Sequence, residues 1–63
     1  MMNAEQFLGL TKRQSYELAE RLGLMPHLVR IDDRNLFGYP DDQREDRICL
    51  ELDSRRVTKA TIQ

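Results

Sequence analysis

Cysteine, histidine and tryptophan are scarce in this chain, which has one Cys, one His and no Trp among its 63 residues. The single cysteine, Cys49, has no partner for an internal disulfide, so packing alone must hold the fold. The single histidine, His27, has no second His or Cys with which to share a metal ion. We therefore predict no disulfide and no metal site, and we interpret His27 as a surface or hydrogen-bonded imidazole.

Long apolar runs and an excess of one charge are missing as well. No run approaches the roughly 18 apolar residues of a spanning helix, and the N-terminus lacks the basic flank and apolar core of an export signal. Ten basic and 11 acidic residues nearly cancel to a net charge of -1, which gives no general attraction to nucleic acid or to an anionic membrane. We expect a protein that does not bind a membrane and that is cytoplasmic, or else exported by a route that leaves no mark in this sequence.

The chain is also too short for a cofactor cleft. A domain of 63 residues buries only about 60% of its unfolded surface, which allows one small core. No Ser/His/Asp or Cys/His arrangement and no glycine-rich phosphate loop is present. The sequence therefore predicts one domain, residues 1–63, that is not an enzyme and needs no cofactor.

One segment has the pattern of an amphipathic helix. Thr11 and Gln14 form a capping box before it, the helix is predicted over residues 12–22, and Gly23 ends it. A short turn over residues 3–7, capped by its first residue, is predicted before the helix. The residues that share the predicted core face are Ser15, Leu18, Ala19 and Leu22.

Three strands follow the helix. They are predicted at residues 27–31, within the charged and then alternating stretch 43–53, and at residues 57–62 after a turn at 54–56. In the second strand the apolar residues on one face are Ile48, Leu50 and Leu52. Their alternation places Cys49 on the opposite face, either partly exposed or beneath a second layer.

A loop without regular pattern, residues 32–43, joins the first two strands and contains Gly38 and Pro40. It is too long for a tight hairpin, so we expect the two strands to lie parallel, with the loop crossing one end of the sheet. The last strand completes a hairpin with the second. The predicted fold is a two-layer α+β domain in which one helix packs on a mixed sheet of three or four strands.

Three motifs in this order resemble the potato inhibitor I family of serine protease inhibitors, especially its short bacterial branch. They are G-L-T at residues 9–11 opening the helix, R-x-D-R-I at 44–48, and V-T near the end. The similarity covers residues 8–62. It implies a monomeric inhibitor of subtilisin-like or chymotrypsin-like proteases that acts through the exposed loop.

The resemblance also implies roles for individual residues. The reactive loop would consist of Pro40, Asp41, Asp42 and Gln43. The residues anchoring it would be Arg44, Asp46 and Arg47. The attacked bond would follow Asp41, and Arg47 would pair with Asp42. Cys49 occupies the position of a second anchoring arginine.

Other interpretations of these residues stay open. With a shifted register, Leu36 or Phe37 would be the specificity residue. The loop could also be a solvated run of charges, or the apolar tip formed by Leu36, Phe37 and Tyr39 could dock into a protein partner without inhibiting a protease.

Nucleic-acid binding is a distant third possibility, because acidic residues are interleaved with the basic ones. The arginines that would form such a surface are Arg30, Arg34, Arg44, Arg47, Arg55 and Arg56.

Overall fold

The order of elements along the chain is a short helical turn, one helix and four strands. A computed structural model describes residues 4–63 and confirms the predicted fold class. Its elements are a 3-10 turn (Ala4–Phe7), α1 (Lys12–Arg21), β1 (Met25–Ile31), β2 (Arg34–Asn35), β3 (Arg47–Asp53) and β4 (Arg56–Ile62). The cap predicted for the first turn, Asn3, lies outside the described residues.

Both ends of α1 are capped as the sequence predicts. The Thr11 hydroxyl accepts a hydrogen bond from the Gln14 amide at 3.2 Å, and the Thr11 amide donates to the Gln14 side chain at 3.0 Å. At the other end Gly23 has a φ of +73°, and the Leu24 amide turns back to the Ala19 carbonyl at 2.8 Å. A positive φ costs glycine little, so the chain leaves the helix sharply toward β1.

The hydrophobic core lies between α1 and one face of the sheet. Its buried members are Phe7, Ala19, Leu24, Leu28, Ile48, Leu50, Leu52 and Val57. From the predicted helix face, Ser15 and Ala19 are fully buried, whereas Leu18 and Leu22 pack against the edge of the core. The Ser15 hydroxyl donates to the Lys12 carbonyl at 2.8 Å, which satisfies the buried polar group in this core.

The sheet has the strand order β2-β1-β3-β4. β1 and β3 run parallel, as predicted, and β3 and β4 form the predicted antiparallel hairpin. The hairpin turn consists of Ser54 and Arg55, with φ of 51° and 69°. Two positive φ values match the right-handed twist of the strands, although neither residue is a glycine.

β1 begins two residues earlier than predicted, because Pro26 does not interrupt it. The Met25 amide donates to the Asp46 carbonyl at 2.6 Å, which starts the parallel pairing. Since β2 pairs only with Arg30 and Ile31, the outer edge of β1 is open beside Pro26. A proline is compatible with an edge strand when its missing N–H would face the open side.

The predicted loop, residues 32–43, is not irregular throughout. It begins with a hairpin in which Asp32, at φ 54°, turns the chain so that β2 pairs back on β1. The rest of the connection to β3, residues 36–46, is called the crossing segment below. The pairing of β1 with β3 shifts register between Leu28 and Arg30, so Val29 is an extra, bulged residue.

The N-terminal segment is bound to the last strand. The Gly9 amide donates to the Val57 carbonyl at 2.8 Å, and the Val57 amide donates to the Leu10 carbonyl at 2.8 Å. Phe7, which is fully buried, packs into the core from the same segment. Residues 7–10 therefore belong to the folded unit.

Candidate functional site

The crossing segment lies on the face of the sheet opposite α1. Nε2 of His27 is 2.8 Å from the Gly38 carbonyl oxygen, and the Tyr39 hydroxyl donates to the Glu51 carboxylate. Nζ of Lys59 lies 5.4 Å from the centre of the Tyr39 ring. The segment, which was predicted to cross one end of the sheet, therefore also contacts this face. The alternation in β3 left this face either partly exposed or beneath a second layer, and in the structure it carries Glu51, the partner of Tyr39.

Beneath the segment, a charged group joins β1 to β3. Nε of Arg30 is 3.0 Å from Glu51, and its two terminal nitrogens lie 2.8 and 2.9 Å from the two oxygens of Asp53. The Thr58 hydroxyl also donates to Asp53, at 2.7 Å. We call Arg30, Tyr39, Glu51 and Asp53 the Arg30 network. The bulge at Val29 gives Arg30 this position, because it places two consecutive β1 residues on the same face.

The network shifts the pKa values of its members. Hydrogen bonds from Arg30 and Thr58 hold the pKa of Asp53 well below its usual range. The Tyr39 hydroxyl and then Arg30 lower the pKa of Glu51, while burial and the bond to Glu51 raise the pKa of Tyr39 to about 12. Both carboxylates are therefore ionised at neutral pH, and the Tyr39 hydroxyl keeps the proton that it donates.

Arg47 lies at the start of β3 and connects three parts of the chain. Its Nη2 donates to the Asp42 carbonyl at 2.9 Å and to the Asp42 carboxylate at 3.1 Å, and its Nε donates to the Gln63 carbonyl at 2.8 Å. Only 11% of the Arg47 side chain is exposed. These bonds lower the pKa of Asp42. The contact expected between Arg47 and Asp42 is present, and its role in an inhibitory loop stays a prediction.

The other two predicted anchors pair with each other. The Arg44 guanidinium makes two parallel bonds to the Asp46 carboxylate, at 2.8 and 2.9 Å. This pairing lowers the pKa of Asp46 to about 2. Both side chains are about half exposed. The charge of Arg44 also helps to lower the pKa of Asp42, although less than Arg47 does.

The four predicted reactive residues are consecutive and differ in their contacts. Asp42 is bound by Arg47, whereas Asp41 and Gln43 are exposed and Pro40 is partly buried. At the proposed apolar tip, Phe37 is 76% exposed and lies 6.0 Å from the His27 ring, and Leu36 is 37% exposed. Tyr39 is turned onto the sheet by its bond to Glu51, so it does not project with the other two.

Cys49 lies under a second layer, which is the second of the two predicted environments. Its side chain is fully buried, and its Sγ is 3.9 Å from the Gln63 carbonyl oxygen. Burial raises the pKa of the thiol, so it is neutral at physiological pH. The second anchoring arginine implied by the family resemblance thus has a buried thiol in its place.

Half of the arginines considered for nucleic-acid binding are neutralised. Arg30, Arg44 and Arg47 each pair with at least one carboxylate. Arg56 donates to the Gly9 carbonyl at 3.1 Å and keeps its charge at the opposite end of the sheet. This distribution gives little continuous basic surface along the crossing segment.

Metal and membrane sites are not evident in the part of the chain that the structure describes. Residues 4–63 contain no group of three or more His, Cys, Asp or Glu side chains placed to hold a metal ion. Within the same range, no helix has the length and apolar character needed to cross a membrane.

Comparisons with protein-family models, curated proteins and solved structures gave no match. The similarity to potato inhibitor I therefore rests on the motifs in the sequence, and the activity that it implies stays a prediction.

Proposed function

We propose that this chain inhibits a serine protease through residues 40–46 of its crossing segment. The observation that supports the proposal most directly is the pair of bonds from Arg47 to the carbonyl and the carboxylate of Asp42. They fix both the main chain and the side chain of a residue in the middle of an otherwise exposed segment.

A protein inhibits a protease in this way when its loop enters the cleft as an extended strand and is held too rigidly to leave after attack. Ordering a flexible loop on binding costs free energy, so a loop that is already ordered binds more tightly for the same contact area. Arg47 is suited to this role because its side chain is nearly buried and is also bound to the Gln63 carbonyl. Its position is thus set by β3 and by the end of β4.

The segment is also fixed on the other side of Asp41. Two residues before it, Tyr39 is bound to Glu51 on β3, and the Gly38 carbonyl is bound by His27 on β1. One residue after it, Asp42 is bound to Arg47. A short exposed stretch held at both ends by the same sheet is the arrangement that a substrate-like inhibitory loop requires.

Arg47→Ala tests this proposal. We expect inhibition constants against a susceptible protease about 10-fold to 100-fold weaker, because charge-assisted bonds to the segment are lost. The measurement is inhibition of serine proteases that differ in primary specificity, read alongside amide exchange of residues 40–43. The matched control is Arg13→Ala, which removes an arginine whose one ion pair, to Glu17, is exposed on α1.

The control should inhibit as strongly as the parent chain. Faster amide exchange at residues 40–43 in Arg47→Ala, with the exchange of β3 unchanged, would show that the loss comes from the segment and not from the fold. A parent chain and control that inhibit no protease in the panel would refute the proposal.

One observation favours a second candidate function. Phe37 is 76% exposed beside Leu36, which is an unusual exposure for a phenylalanine next to another large apolar residue. A non-inhibitory interaction module would use this pair to dock into a protein partner. Phe37→Ser would then abolish binding to a purified partner, whereas Arg47→Ala would leave it unchanged. If the chain is an inhibitor, Arg47→Ala should weaken its binding to the protease more than Phe37→Ser does.

A further inference from the structure

The carboxylates of the crossing segment fall into two kinds. Asp42 is bound by Arg47 and Asp46 is bound by Arg44. Asp41 and Glu45 are exposed, and the described structure gives neither an ion pair. The segment therefore presents two negative charges that the chain itself does not neutralise.

Asp41 and Glu45 differ in what holds their neighbours. Glu45 lies between Arg44 and Asp46, which pair with each other immediately before β3, and the Asp46 carbonyl is bound by the Met25 amide. The neighbours of Asp41 are instead held by side chains of β3. Asp41 lies between Tyr39, which is bound to Glu51, and Asp42, which is bound to Arg47. The main chain at Asp41 is thus held between two bound residues, while its carboxylate remains open to solvent. Such a residue can enter a partner's pocket with little ordering cost, because its neighbours are already in place.

The charge of Asp41 restricts which pocket can receive it. Transfer of an ionised carboxylate into an apolar pocket without a partner is strongly unfavourable. A pocket that already contains a carboxylate, as in proteases that cleave after Lys or Arg, would add like-charge repulsion. A cationic pocket replaces the lost hydration with a charge-assisted hydrogen bond.

We infer that the target is a serine protease with a cationic primary specificity pocket, which cleaves after acidic residues, and that Asp41 is the residue that enters this pocket. This inference rests on the function proposed above. It assigns Asp41 as the residue that determines specificity and Asp42 as the residue after the attacked bond, and it makes Phe37 and Leu36 peripheral to the cleft.

The experiment compares the parent chain with three variants. Asp41→Asn keeps the shape and removes the charge, and Asp41→Leu provides a side chain for an apolar pocket. Asp33→Asn is the matched control, because Asp33 is an exposed aspartate in the β1–β2 turn, outside the crossing segment. Inhibition constants are measured against acid-specific, trypsin-like, chymotrypsin-like and subtilisin-like proteases, and any slow cleavage is located by mass spectrometry.

We expect the parent chain and Asp33→Asn to inhibit the acid-specific protease equally, with slow cleavage after Asp41. Asp41→Asn should weaken that inhibition at least about 30-fold, which is the lower range for removing one partner of a buried charge pair. Asp41→Leu should lose the acid-specific target and gain inhibition of the chymotrypsin-like or subtilisin-like enzymes.

The contrary results separate this inference from the proposed function. If the parent chain inhibits a protease of another specificity, the chain has an inhibitory loop but the inference about its target is wrong. Cleavage after Leu36 or Phe37 would overturn it in the same way. If only Asp41→Leu inhibits, both the inference and the proposed function fail for the parent chain. If neither the parent nor any variant inhibits a protease, the proposed function itself fails.

Discussion

The two faces of the sheet are held by different kinds of interaction. On the side of α1, Ile48, Leu50 and Leu52 are almost completely buried in an apolar core. On the other side, Arg30 binds two carboxylates of β3, and the crossing segment lies over them. The first face contributes most of the stability, because burial of apolar surface is the largest favourable term in folding. The hydrogen bonds and ion pairs of the second face are directional, and they mainly fix the position of the crossing segment.

One face of the sheet stabilises the fold, and the other positions the exposed stretch of the crossing segment. Apolar packing tolerates small shifts, since it depends on area and volume, whereas a two-pronged bond between Arg30 and Asp53 fixes both distance and angle. A chain that must display a short exposed stretch needs the second kind of contact on the side where that stretch lies. Changes on the two faces should therefore have different signatures.

The largest effect is expected from the apolar face. Leu50→Ala should reduce the free energy of unfolding by about 2–5 kcal/mol, because it leaves a cavity at a fully buried position. Since a domain of this size has only a few kcal/mol of stability, much of the variant would be unfolded at 37 °C. Urea denaturation followed by circular dichroism measures the change. Leu8→Ala, at a leucine that is 48% exposed, should change stability by less than about 0.5 kcal/mol, and a similar loss in both variants would contradict this assignment.

As pH falls, the contacts of the crossing segment on the second face should be lost before the apolar core is affected. The pKa values of Glu51 and Asp53 are lowered in the folded state, so their contributions are present above the unfolded pKa and are lost as pH falls through the folded one. The same holds for Asp46, whose pKa is lowered to about 2. We expect the NMR signals of Tyr39 to stay native as pH falls through the ordinary carboxyl range and to change only at lower pH, where Glu51 is protonated.

The apolar face provides the internal control for this titration. Signals of Leu28 and Leu50 should persist until the crossing segment has already changed, because the buried core around them contains no titratable side chain. A transition of Tyr39 centred at the ordinary carboxyl pKa, near 4, would show that the Arg30 network is not formed in solution.

The fold was predictable to the extent that its contacts are local or periodic. The helix, its cap at Thr11 and the apolar positions of β3 follow from spacing, because side chains three or four apart share a helix face and alternate residues share a strand face. The parallel pairing followed from the length of the connection. The hairpin containing β2 was missed because Asp32 adopts a positive φ that is uncommon outside glycine.

The second face could not be predicted in the same way. Arg30 meets Glu51 and Asp53 from 21 and 23 residues away, and this meeting depends on a bulge at Val29 that no periodicity marks. Arg30 was instead grouped with a possible nucleic-acid surface. The contact between Arg47 and Asp42 was expected only through the family resemblance, since a charged stretch by itself does not show which charges pair.

The smallest effect is expected in a turn that belongs to neither face. Arg55→Gly should stabilise the chain by about 0.5–1 kcal/mol, because glycine adopts the φ of 69° at this position without strain. Thermal unfolding measures the gain. Asp33→Gly, at a position of the other two-residue turn that lacks a positive φ, should give no gain because it only adds freedom to the unfolded chain. Equal stabilisation by both would show that relief of the positive φ at Arg55 is not the cause.

The attachment of Gly9 and Leu10 to Val57 has a consequence for biosynthesis. β3 takes its hydrogen-bond partners from strands on both sides, and Gly9 and Leu10 are synthesised well before Val57, which completes their hydrogen bonds. While β4 is still inside the ribosome, the nascent chain lacks one edge strand of the sheet. It also lacks Val57, the hydrogen-bond partner of Gly9 and Leu10. Folding of this unit should therefore follow translation through residue 62.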